Sequence, residues 1–170
     1  NYPLFNRAIQ AAYPPGSTLK PFVALAGLTL RAITPMTTFA DPCFGYYQFG
    51  RRRFGCWDHD GHGWTSLRTA VAKSCDVYFY QIGPKLGLPR LEGTARELGL
   101  GDRTGVDLPQ ERKGLIPSPA WYDSRWGAGR WRPGLMLNLV IGQGELLVTP
   151  LQRAVLAVAP EVAPVRLALA

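Results

Sequence analysis

Residues 14–21 read Pro14-Pro15-Gly16-Ser17-Thr18-Leu19-Lys20-Pro21, and Phe22-Val23-Ala24-Leu25-Ala26-Gly27-Leu28 follow without a polar side chain. The run predicts a buried helix over residues 17–30, because it is apolar on every side rather than along one stripe. Pro14-Pro15-Gly16 forces an abrupt start, and Pro21 still lies in the first turn, where a missing N–H costs little. A Ser-x-x-Lys pair therefore stands at the mouth of the helix. A helix N-terminus offers free backbone N–H groups and the positive end of a dipole. A lysine three residues on lies one turn away on the same face, within reach of the serine hydroxyl. An amine held among apolar groups can serve as a base, so Ser17 and Lys20 are a candidate nucleophile and base. Spacing alone also fits an N-cap serine beside a solvated lysine, but the apolar surroundings disfavour a surface lysine.

The 170-residue chain is 46% hydrophobic and 18% charged, which suits one globular domain. Its net charge is +7. That raises nucleic-acid binding as a class, but apart from Arg51-Arg52-Arg53 and the stretch from Arg125 to Arg132 the basic residues are scattered. They read as solvated surface, suited to anionic lipid or wall polymer rather than to nucleic acid. Position 1 is Asn, and no apolar run of about 18 residues occurs, so the chain reads as a piece of something longer. Cys43, Cys56 and Cys75 are an odd number and fit neither a disulfide scaffold nor a repeated C-x-x-C ribbon.

Further along, residues 34–66 lack sustained periodicity and read as a long functional loop or small subdomain. Residues 67–83 look helical with an interruption near Lys73-Ser74-Cys75-Asp76, and 88–98 have helical spacing ending at Gly99. Gly101 to Leu108 reads as a turn into a short strand, and 114–134 as irregular surface. Leu135 to Ile141 is an apolar run before Gly142-Gln143-Gly144, and Thr149-Pro150 opens a further helix. Pro160 and Pro164 are expected to break that helix. Residues 158–170 form an Ala/Pro-rich tail, which reads either as the result of a frameshift or truncation near residue 157 or as an ordinary hydrophobic tail.

Together these segments resemble one family. Asn6-Arg7-Ala8 with Tyr13 to Pro21 is similar to the active-serine segment of class B penicillin-binding proteins. Ser74-Cys75-Asp76-Val77-Tyr78-Phe79-Tyr80-Gln81 resembles the second motif region. Gly99-Leu100-Gly101, Thr104-Gly105-Val106-Asp107-Leu108-Pro109 and Asn138 to Gly144 match later landmarks. Asp76, where many relatives carry Asn, and the Trp-Asp…Gly-His-Gly segment resemble the elongation-type branch, penicillin-binding protein 2. The resemblance covers residues 1–157. It implies an α+β penicillin-binding-protein/β-lactamase-like transpeptidase fold, here its helix-rich part with the C-terminal sheet strands missing.

The activity so implied is that of a peptidoglycan D,D-transpeptidase, the target of β-lactams. Ser17 would attack the D-Ala-D-Ala carbonyl of a stem peptide, Lys20 would be its base, Ser74 would relay protons to the leaving D-Ala, and Asp76 would hold Lys20 or the substrate amide. The implied partners are peptidoglycan stem peptides and a membrane glycosyltransferase of the elongation machinery. The implied location is the periplasmic side of the bacterial inner membrane, through an N-terminal anchor outside these residues. One departure matters. No Lys-Thr-Gly or Lys-Ser-Gly occurs, and the last lysine is Lys113. That motif supplies an oxyanion donor, whose loss costs about a hundredfold or more, so weak or no activity is expected of this chain alone. Other readings are a non-catalytic remnant or wall-polymer-binding module, and a β-lactam-hydrolysing or sensing relative.

Between residues 41 and 75 lie Asp41, Cys43, Cys56, Asp58, His59, Asp60, His62 and Cys75, a dense set of zinc-type ligands. The resemblance implies a structural zinc held by Asp, Asp, His and Cys, here Asp41, Asp58, His62 and Cys75, with Asp60 competing for the place of Asp58. A Cys43–Cys56 disulfide, or free thiols in a polar loop, is the alternative.

Overall fold

The computed structural model describes residues 5–162. Eight helices run in chain order: α1 (Arg7–Gln10), α2 (Lys20–Thr29), α3 (Leu67–Ala72), α4 (Asp76–Leu86), α5 (Leu88–Glu97), α6 (Pro119–Trp126), α7 (Leu135–Val140) and α8 (Pro150–Val162). Between α2 and α3, strands β1 (Tyr46–Phe49) and β2 (Arg52–Gly55) pair antiparallel, with Tyr46 opposite Gly55 and Phe49 opposite Arg52. Among the described residues this hairpin is the only sheet. The class is mixed α and β, dominated by helices, as the resemblance implies.

Helix α4 is the axis of the core. From Val77 to Gly83 every residue is buried, because α2, α7, α5, α3 and the hairpin all pack around it. A helix surrounded in this way has no need of a polar face. Helix α2 presents Phe22, Val23, Ala24 and Ala26 to the same interior. Gly27 gives up its side chain so that Ile33 can pass; a Cβ there would meet Ile33 Cγ1 at 2.9 Å.

Several expectations are met in detail. The helical segment 67–83 breaks where expected: α3 stops at Ala72, and α4 starts at Asp76. Thr149 and Gln152 form a capping box at the head of α8, with Gln152 N–H donating to Thr149 Oγ1 at 3.1 Å and Thr149 N–H to Gln152 Oε1 at 2.9 Å.

Four expectations are corrected. The segment 34–66 contains the hairpin, closed by Gly50-Arg51 with Gly50 at φ +58°, the conformation a two-residue turn with glycine first requires. Gly101–Leu108 forms no strand. The N–H groups of Thr104 and Gly105 and the Thr104 hydroxyl donate to the Glu111 carboxylate, so side-chain acceptors replace a ladder. The stretch 114–134 is not all irregular, since Ser118 caps α6 through Trp121 N–H and the helix buries Tyr122 completely. Tyr122 stacks between Trp126 and Trp131 at interplanar angles of 19° and 28°. Finally, α8 runs through Pro160 to Val162, so Pro160 removes one N–H from the ladder without ending the helix at that point. Pro164 lies outside the described residues.

The turn before α2 is clamped from behind. Tyr13 and Val148 exchange backbone hydrogen bonds of 2.9 Å, and Gly16 N–H donates to Gly142 O at 2.8 Å. Gly142 sits at φ +73°, and a Cβ on it would run into the backbone of Gly16. Gly142→Ala is therefore expected to cost at least about 1–3 kcal/mol, read as a lowered urea midpoint with unchanged m-value. A wild-type midpoint would refute the clamp.

Candidate functional site

Ser17 and Lys20 do not begin an ordinary α-helical turn. Gly16–Leu19 is a 3₁₀ turn that passes directly into α2. At three residues per turn, side chains i and i+3 eclipse, so Ser17 Oγ lies over the Lys20 side chain. The amine reaches it at 3.1 Å. Ser17 is exposed, whereas Lys20 is only 1% exposed. The nucleophile thus faces solvent with its base buried beneath.

The second half of the site comes from the α3–α4 junction. There Cys75 N–H returns to Ala70 O and Ser74 N–H to Val71 O, the paired bonds of a Schellman helix end. The left-handed position of this motif normally belongs to glycine, yet Ser74 holds it at φ +52°. A non-glycine residue there costs about 1–2 kcal/mol. In return, two oxygens of one residue converge on the same amine: Lys20 Nζ donates to Ser74 O at 2.7 Å and contacts Ser74 Oγ at 2.9 Å. Asp76 opens α4, where the dipole favours an anion. Its Oδ1 accepts from Lys20 Nζ at 2.6 Å, and its Oδ2 accepts from Trp57 N–H at 3.0 Å. Burial raises the Asp76 pKa above the usual carboxylate value, while hydrogen bonding and charge from Lys20 pull it back.

Lys20 Nζ therefore has four oxygen neighbours and at most three hydrogens. As an ammonium it satisfies Asp76 and two others. As a neutral amine it keeps two donors and turns its lone pair to a hydroxyl, that of Ser17 or Ser74. Both protonation states are accommodated without rearrangement, as a base that takes and returns a proton requires. The four residues expected to be catalytic, Ser17, Lys20, Ser74 and Asp76, thus converge on one nitrogen.

The expected metal ligands divide differently. His62 and Cys75 come together, but Asp41 and Asp58 do not join them. The ligand atoms of Cys43, Cys56, His62 and Cys75 all lie within 4.8 Å of one another. Asp41 is exposed, engaging Gln81 only through its backbone, because its chain turns away before the Cys43–Gly63 bridge. Asp58 lies one shell out, with Oδ2 3.6 Å from His62 Nε2 and Oδ1 accepting from Asp60 N–H. Asp60 is exposed. All three cysteines are free thiols, so the alternative Cys43–Cys56 disulfide is not formed. A hydrogen bond from Cys75 pulls the Cys56 thiol down to about 4, and the same contact together with burial pushes Cys75 up. The readable signal was the spacing: three cysteines and one histidine at 43, 56, 62 and 75.

The family described as "Penicillin binding protein transpeptidase domain" matches residues 1–159. The peptidoglycan D,D-transpeptidase MrdA of Acinetobacter baumannii is 40% identical over 152 residues, covering 89% of this chain and 22% of that protein. Among solved structures, Pseudomonas aeruginosa PBP2 in complex with WCK 5153 superimposes with a TM-score of 0.85 at 41% identity, over 93% of this chain and 34% of that one. Helicobacter pylori PBP2 in complex with MreC gives 0.82 at 42%, over 89% and 28%. The chain thus spans under a quarter of the length of that curated relative.

The buried pair yields a prediction. Asp76→Ala leaves Lys20 without its counter-ion and is expected to cost about 3–5 kcal/mol. Replacing both groups, Lys20→Met with Asp76→Leu, should recover most of that loss in urea unfolding. A double variant as unstable as Asp76→Ala would refute the pairing.

Proposed function

The chain belongs to the penicillin-binding protein transpeptidase family, and from that membership we propose that residues 5–157 carry the acylating centre of a peptidoglycan D,D-transpeptidase. The carrying observation is the Lys20 amine, 3.1 Å from Ser17 Oγ and 2.9 Å from Ser74 Oγ, anchored by Asp76 at 2.6 Å.

Ser17 Oγ attacks the carbonyl carbon of a D-Ala-D-Ala peptide as its proton passes to Lys20 Nζ. The tetrahedral intermediate collapses with cleavage of the C–N bond. The departing D-Ala amine receives a proton from Ser74 Oγ, which is replenished from Lys20. An ester to Ser17 remains, and an amine from a neighbouring stem peptide displaces it by the reverse sequence, forming the cross-link. A β-lactam follows the first half of this course, but its leaving amine stays tethered and the ester persists. Stabilising the oxyanion also calls on a second donor, which the resemblance assigns to a Lys-Thr-Gly strand. No such sequence occurs in residues 1–170.

The complex of Helicobacter pylori PBP2 with MreC supports a protein partner for the intact protein; a membrane glycosyltransferase partner and a place on the periplasmic side of the inner membrane are what the resemblance implies. Among the described residues no helix is long and apolar enough to cross a membrane.

Incubation with a fluorescent penicillin tests the reading. Slow covalent labelling is expected, abolished in Ser17→Ala and reduced by about 10²–10⁴-fold in Lys20→Ala. Label that persists in Ser17→Ala, or that maps to another residue, would overturn the reading and favour a non-catalytic wall-binding role.

A further inference from the structure

The cluster of Cys43, Cys56, His62 and Cys75 takes no part in the acyl-transfer chemistry. Its donor set departs from the two-carboxylate set that the family resemblance implies. His62 offers Nδ1 to two sulfurs, 3.5 Å from Cys43 Sγ and 3.6 Å from Cys56 Sγ. A tetrahedral ion with bonds of about 2.3 Å to sulfur and about 2.0 Å to nitrogen sets ligand edges of about 3.6 Å between S and N. The other ring nitrogen, Nε2, is buried with no hydrogen-bond partner, and Asp58 Oδ2 faces it at 3.6 Å. A carboxylate in that place is positioned to fix the tautomer of a ligating histidine.

We propose that Cys43, Cys56, Cys75 and His62 Nδ1 form a closed four-ligand site for zinc, with Asp58 bracing His62, and that this site fixes the carboxylate of Asp76. Three thiolates and one imidazole suit a soft tetrahedral ion and leave no open position, so the site is structural. Its link to the acylating centre runs through the loop that follows Cys56. The Asp76 carboxylate accepts from the N–H of Trp57, the residue that follows Cys56. The Trp57 indole fastens the same loop to Lys73 O at 3.1 Å. Cys75 precedes Asp76 and follows Ser74 in the chain, so one ligand is the covalent neighbour of two groups that hold Lys20, and Cys56 precedes Trp57, whose N–H holds Asp76. With zinc bound, Cys56 and Cys75 are held at fixed separation, and Trp57 N–H is aimed at Asp76 Oδ2.

The test needs no acylation, so its outcome is separate from that of the penicillin labelling. Protein stripped by a chelator under reducing conditions is titrated with zinc against a competing indicator. Cysteine alkylation and amide exchange are followed by mass spectrometry. Binding of one zinc per chain is expected, with protection of Cys43, Cys56 and Cys75 from alkylation and slowed exchange in the segment containing Trp57. Asp58→Asn should weaken zinc by about 10- to 100-fold, whereas Asp41→Asn should leave affinity unchanged. Failure of folded protein to bind zinc would overturn the site. So would loss of binding in Asp41→Asn with Cys43 and Cys56 still alkylated in the presence of zinc. Equal exchange at Trp57 with and without zinc would overturn the link to Asp76. Because the readouts on the unaltered protein suffice, the proposal does not depend on a cysteine variant that folds.

Discussion

The arrangement depends on one buried ammonium. Taking a lysine head group out of water costs several kcal/mol, recovered only if the interior supplies a counter-ion and acceptors at hydrogen-bonding distance. Here the Lys20 side chain is 2% exposed, and its acceptors come from two places far apart in sequence. Its own 3₁₀ turn contributes one. The α3–α4 junction contributes the others. The core must therefore bring α2 and α4 together, which explains why α4 is buried almost throughout and why α7 and the hairpin close over it. The polar centre is the constraint, and the apolar packing is how the chain meets it.

Backbone strain falls on some of the same residues. Ser74 occupies a left-handed position that glycine would hold at no cost, and Gly16 and Gly142 meet backbone to backbone where no side chain fits. Such positions persist only where surrounding structure determines them. At the junction, two Schellman bonds fix Ser74 from the α3 side and the Trp57 amide holds Asp76 from the loop side. At the serine turn, the Tyr13–Val148 bridge and the Gly16–Gly142 bond do the same. The nucleophile is thus positioned by backbone groups, which move less than side chains.

How much of this was readable in the sequence depended on whether the signal was local. The Ser17/Lys20 pair, the break at 73–76 and the Thr149-Pro150 helix start are set by neighbouring residues, and all were legible. The eclipsed geometry of the 3₁₀ turn was not, because Pro15-Gly16 and Pro21 fit either helix type. The hairpin was overlooked because its face-alternation is short and interrupted by arginines, although Gly50-Arg51 between aromatic runs was the available signal. Ser118-Pro119 likewise marked α6. The strand expected at 101–108 failed for a non-local reason: Glu111 takes up the donors that a strand partner would have used.

The proposed metal ligands show how analogy and chemistry can part. Matching this chain to a two-carboxylate pattern selected Asp41 and Asp58, yet thiols occupy the positions that face His62. The difference is physical. A carboxylate at 43 or 56 would need solvation or a further donor in a region where both residues are almost fully buried, at 1% and 3% exposure. A thiol tolerates burial as a small apolar group and becomes a strong ligand once ionised. Asp58 remains useful because it lies farther out, where water reaches its side chain, 31% exposed. The carboxylate thus sits at the solvent edge and the sulfurs sit in the dry interior, each where its hydration cost is lowest.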